Sequence, residues 1–76
     1  MTKRHGLTRR QYQVAECIAL AMLDKQTSAV LGIQVKTIKV NVGLIAAAWQ
    51  LDRTRNLRVQ IARRIWEIEE LPGDEI

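Results

Sequence analysis

Between positions 35 and 49 the apolar residues Val35, Ile38, Val42, Ile45 and Trp49 advance in steps of 3, 4, 3 and 4. That spacing gathers them into one stripe of an α-helix but scatters them over both faces of a strand, so the segment can bury them together only as a helix. The rest of the chain keeps a similar period and is barely punctuated, with one proline and four glycines in 76 residues. The predicted fold class is therefore all-α. A chain this short buries only about 60% of its unfolded surface, so one domain with a thin core is expected. Cys17 is the single cysteine, which excludes an internal disulfide and a cross-linked secreted scaffold.

Three more helices have readable ends. Thr8 with Gln11 three residues on has the form of a capping box, and Leu7 can staple onto Tyr12. Val14, Ile18 and Ala21, joined by Cys17 and Met22, then give a first helix an inward face through about Leu23. Asp24 is the expected cap of a short second helix over 25–31, with Gly32 allowing a tight turn and Ile33 plugging it. The striped helix is third. After a polar connector from Gln50 to Arg53, a fourth helix is expected from about Thr54 to Leu71, stopped by Pro72-Gly73. The expected organisation is a basic tail over 1–6, a helical domain over 7–71 and an acidic tail over 72–76.

Charge is split along the chain. Residues 1–64 hold all 12 basic side chains against Glu16, Asp24 and Asp52, a net +9; residues 65–76 hold five acids and no base, a net −5. A body this basic points to a polyanion, nucleic acid first, unless the charge merely solvates the surface. The longest apolar run, Gly43 to Trp49, is far short of the ~20 residues that span a bilayer. The N-terminus lacks the apolar core of a signal peptide. The expectation is a soluble cytoplasmic protein with no membrane partner.

The fourth helix is apolar on two sides. Leu57, Ile61, Ile65 and Ile68 form one stripe, and Val59, Ala62 and Trp66 form another nearly opposite. An edge helix needs one such face, so the second is expected to be covered by another copy, and symmetric dimers are the commonest solution. The bland alternative is that Trp66 folds over its own core.

Two short helices, a glycine turn and a longer helix with a cationic outer face describe a helix-turn-helix. The outer face of the third helix carries Lys36, Val40, Gly43 and Ala47, with Lys39 and Thr37 beside them. In such a unit the second helix lies in the major groove. Lysine there can donate to guanine, and an outward valine can meet a thymine methyl. The base-reading candidates are Lys36, Lys39, Val40 and Gly43. Arg9, Arg10, Arg53, Arg55 and Arg58 cluster near helix starts and are phosphate candidates, together with Thr37 and Asn41.

Leu7-Thr8-Arg9-Arg10-Gln11, then Thr37-Ile38-Lys39-Val40-Asn41-Val42, then Ile45 and Trp49-Gln50-Leu51 resemble the LuxR/NarL-type (GerE-like) DNA-binding domain. The likeness covers about residues 7–66 without a gap. It implies that the second and third helices are the helix-turn-helix and that the fourth mediates dimerisation. It places family DNA contacts at Lys36, Thr37, Lys39, Val40 and Gly43. Gln11 stands where the family has Glu, Thr27-Ser28 where it has Ile-Ala, Gln34 where it has a Ser cap, and Asn41 where it has His. Family members usually follow a receiver or ligand-binding domain, for which 76 residues leave no room. The expectation is a stand-alone bacterial regulator of the phage or mobile-element kind, a repressor rather than an activator, binding double-stranded DNA as a homodimer.

Catalysis has little support in the residues. His5 is the single histidine and falls in the basic tail, Cys17 falls on an inward helix face, and Glu67, Glu69 and Glu70 lack partner histidines or an oxygen-rich loop. No enzyme activity, cofactor or metal is expected. The competing reading is a protein-binding module that grips another regulator or a polymerase subunit through the fourth helix.

Overall fold

The chain forms four helices, of which the first and fourth start on a side-chain acceptor for the N–H groups that a helix start leaves unpaired, and the third on none. In the computed structural model, which describes residues 5–69, they are α1 (Arg9–Ala19), α2 (Asp24–Leu31), α3 (Val35–Trp49) and α4 (Leu57–Glu69), with no strand among the described residues. At α1 the capping box forms as expected. The Gln11 N–H donates to Thr8 Oγ1 at 3.1 Å and the Thr8 N–H donates to Gln11 Oε1 at 3.0 Å. Leu7 is buried in the core, with Tyr12 packed against it.

Three helix ends differ from the sequence expectation. The first helix stops at Ala19, four residues short of Leu23, because the Met22 N–H turns back to Cys17 O and the Ala21 N–H to Ile18 O. This Schellman closure holds Ala21 at φ 63°, a conformation usually left to glycine. Ala21 is consequently exposed and does not join the inward face. Asp24 is not a cap but the first residue of α2, whose start is served by Gln26, its Oε1 accepting from the Leu23 N–H at 2.8 Å. The fourth helix begins at Leu57, not Thr54. Asn56 Oδ1 accepts from the Arg58 and Val59 N–H groups, while Thr54 bonds back to Asp52. Leu71, Pro72-Gly73, the 72–76 tail and residues 1–4 lie outside the described residues.

The turn between α2 and α3 is built as read. Gly32 sits at φ 70°, and its N–H and that of Ile33 both donate to Ser28 O. The Ser28 hydroxyl donates to the Ile33 carbonyl at 2.5 Å, so the serine that stands where the family has alanine ties the turn. The axes of α2 and α3 meet at 101°.

The core is formed by Leu7, Val14, Ile18, Ile38, Ile45 and Ile61, each at most 6% exposed. The α3 stripe points inward except at its first residue, Val35, which is exposed. On α4 Ile61, Ile65 and Ile68 of the inner stripe face the core and Leu57 is half-buried at its start, while Val59 and Trp66 are exposed and Ala62 is half-buried. Trp66 is 64% exposed and does not fold over its own core. Among the described residues no single helix is long and apolar enough to cross a membrane.

Candidate nucleic-acid interface

Because the inward stripe fixes the rotation of α3, its opposite side is fixed as well. Lys36, Lys39, Val40 and Ala47 are exposed, and Gly43 lies among them with open space where a Cβ would stand. At 100° per residue, Lys36, Val40, Gly43 and Ala47 fall within about 60° of one another and Lys39 flanks them. Val40 is 59% exposed, an apolar β-branched side chain on the wet face of a helix. Thr37 is half-buried at the edge. The face thus combines two cations, one methyl-bearing contact and one position where backbone can be approached closely.

Leu44, 48% exposed one turn beyond Val40, belongs to the same face and went unread in the sequence. Its step of four from Val40 was a usable signal, masked by the apolar run that surrounds it.

The phosphate candidates divide. Arg9 is exposed beside the α1 start. Arg10 Nη1 donates to Leu31 O at 3.3 Å, placing its cation on the C-terminus of α2, where an unpaired carbonyl and the helix dipole both favour it. Arg53 Nη2 donates to Gly43 O at 3.0 Å, so the guanidinium lies against the outer face of α3. Arg55 pairs with Asp52 at 3.4 Å on the surface. The Thr54 hydroxyl and N–H both donate to Asp52 and hold its carboxyl below the usual carboxylate range.

Two candidates are corrected. Asn41 is buried, and its Nδ2 donates to Thr37 O at 2.8 Å, so its amide is turned onto its own helix and cannot reach a phosphate. Arg58 is committed to Asp24, forming an ion pair that joins α4 to the start of α2. His5, expected in a solvated tail, instead stacks on Tyr12 with ring centroids 4.0 Å apart and accepts the Trp49 indole N–H through its carbonyl at 2.6 Å. Cys17 is buried, as read.

On the other side of the molecule an open groove of about 570 Å³ runs between α1, α2 and α4, edged by Leu20, Val30 and Trp66 and lined also by Glu16 and Glu69. Desolvation by burial, then hydrogen bonding to Glu69 and repulsion from its charge, push Glu16 up to about 7. The Tyr12 hydroxyl donates to Glu69 at 2.5 Å. Nothing local in the sequence links Glu69 to a residue 53 positions earlier.

Comparison of the chain with protein-family models, with curated proteins and with solved structures finds no match.

Proposed function

We propose that this chain is a sequence-specific DNA-binding regulator of transcription, acting as a homodimer that lays α3 in the major groove. The observation that carries the reading is the outer face of α3, where Lys36, Lys39 and Val40 stand exposed around Gly43 on the second helix of a unit bent by 101°. Lys36 and Lys39 supply donors for guanine edges, and Val40 supplies apolar contact for a thymine methyl. Arg53 and Arg10, held at the edges of this unit, and Arg9 serve phosphates. The resemblance to LuxR/NarL-type domains supports the same docking. Val59, Ala62 and Trp66 on α4 form the contact between copies, and half-sites about one helical turn apart are expected. The reading is of a cytoplasmic, non-enzymatic repressor.

The test is selection of bound duplexes from a random pool, followed by titration of the winning duplex at several salt concentrations. An enriched motif, a steep salt dependence and a loss of about 1–3 kcal/mol for Lys39→Ala are the expected results. A folded protein that enriches no motif at low salt overturns the reading.

A second reading is favoured by one observation, the 64% exposure of Trp66 beside the α1–α2–α4 groove. On that reading the chain grips another regulator or polymerase subunit through α4. Lys39→Ala then changes nothing, while Trp66→Ala abolishes the interaction.

A further inference from the structure

We infer that the surface around Trp66 seats a second copy of this chain, placed by a two-fold axis that passes beside Trp66 and sets Arg63 of each copy against the Glu16–Glu69 acid pair of the other. The inference rests on the homodimer proposed above and adds its axis, its charge contacts and its response to pH.

The first observation concerns the arginines of α4. Arg58 pairs with Asp24, and the Arg64 guanidinium lies 5.1 Å from the centre of the Trp49 ring. Arg63 has neither kind of partner among the described residues, and no ion pair joins it to Glu67 one turn on. It is exposed in the outward stripe between Val59 and Trp66. A cation covered by a partner surface needs an acceptor, or its desolvation opposes association.

The second observation is the reverse case. Glu16 and Glu69 form an acid pair, bridging α1 and α4, with no cation bound to either among the described residues. The titratable groups around them are Tyr12, which donates to Glu69, and Cys17 on α1, with His5 stacked on the Tyr12 ring. From α2 the groove receives only the uncharged Val30 and Leu31.

One patch therefore holds a cation without an acid and an acid pair without a cation. Their placement is symmetric. Arg63 lies three residues before Trp66 and Glu69 three residues after it, at equal rises and equal rotations in opposite senses along a regular helix. An isologous interface requires that residue i meet residue j while j meets i. A two-fold axis beside Trp66 satisfies that for Arg63 and Glu69 and brings the two Trp66 side chains together. The exposed Leu20 and Val30 widen the same surface. This self-complementarity argues for a second copy over an unrelated protein.

Charge linkage follows. In the single chain Glu16 holds its proton up to about pH 7. A guanidinium from the other copy stabilises both carboxylates, so association releases protons and tightens as pH rises. Sedimentation equilibrium of the full chain at pH 6 and pH 8 tests this, with circular dichroism to verify folding of each variant. The expected result is a dimer at least about tenfold tighter at pH 8. Arg63→Gln weakens it about tenfold at pH 8 and removes the pH dependence. Glu16→Gln also flattens it, Arg63→Lys restores part of it, and Glu67→Gln leaves it in place. A dimer that Trp66→Ala weakens but whose affinity is equal at both pH values overturns this inference and leaves the homodimer standing. A chain monomeric at both pH values and at high concentration overturns both.

Discussion

Arg58 on α4 reaches across to Asp24 in the first turn of α2 and forms an ion pair with it, the side chains 41% and 21% exposed. The pair holds the helix-turn-helix against the helix that follows it. It also removes Arg58 from the set of side chains available to DNA. Partial exposure limits its strength, so a coupling of about 1 kcal/mol is expected from a double-mutant cycle on Asp24→Ala and Arg58→Ala. For a domain this size that corresponds to a fall in Tm of roughly 4–8 °C. On the proposed reading the salt slope of duplex binding, by contrast, stays at the wild-type value in Arg58→Ala, because no phosphate contact has been lost.

Gly43 separates stability from recognition. A methyl group there meets nothing within 4 Å, and the position is inside a helix, where alanine is favoured over glycine by about 1 kcal/mol. Gly43→Ala should therefore raise Tm by several degrees. On the proposed reading the added Cβ stands where DNA approaches, and affinity for the selected duplex should fall about tenfold, equivalent to ~1.4 kcal/mol. A stabilised variant that binds the duplex with undiminished affinity would remove Gly43 from the interface.

What the sequence made legible was local or periodic. The Thr8–Gln11 capping box closes within four residues, and the α3 stripe repeats often enough to fix both its inner and outer faces. The helix end at Ala21 was not legible in the same way. Ala21 takes left-handed backbone at φ 63° without being glycine, so tertiary packing overrides the residue preference. Asn41 was misplaced because a polar residue reads as outward, whereas its amide is satisfied by the carbonyl one turn back and can be buried. Arg58–Asp24 and Glu16–Glu69 join residues 34 and 53 positions apart, and no spacing rule relates such partners.

The Trp49 indole N–H donates to the carbonyl of His5 at 2.6 Å, while the Leu7 N–H donates to His5 Nδ1 at 3.1 Å. Residue 5 thus seals one end of the core. Removing residues 1–6 deprives a part-buried indole of its acceptor, and a loss of about 1–3 kcal/mol is expected. A chemical-denaturation midpoint equal to that of the full chain would show that water replaces the carbonyl at no loss.

The Glu16–Glu69 pair makes the monomer's own stability depend on pH. Glu16 rises from 4.5 to about 7 on folding, so between those values the folded chain binds more protons than the unfolded one. Stability then falls as pH rises from about 4.5 through 7, and is fully reduced above the folded value. Asp52 works in the opposite sense. Thr54 holds its carboxyl below the usual range, and the stability this provides is lost as pH falls through the folded value. At concentrations low enough to keep the chain monomeric, urea titrations across pH 4–8 should show stability declining above about pH 5 in the wild type. Glu16→Gln should flatten that decline while leaving the acid-side loss intact. A decline that persists unchanged in Glu16→Gln would assign it to another group.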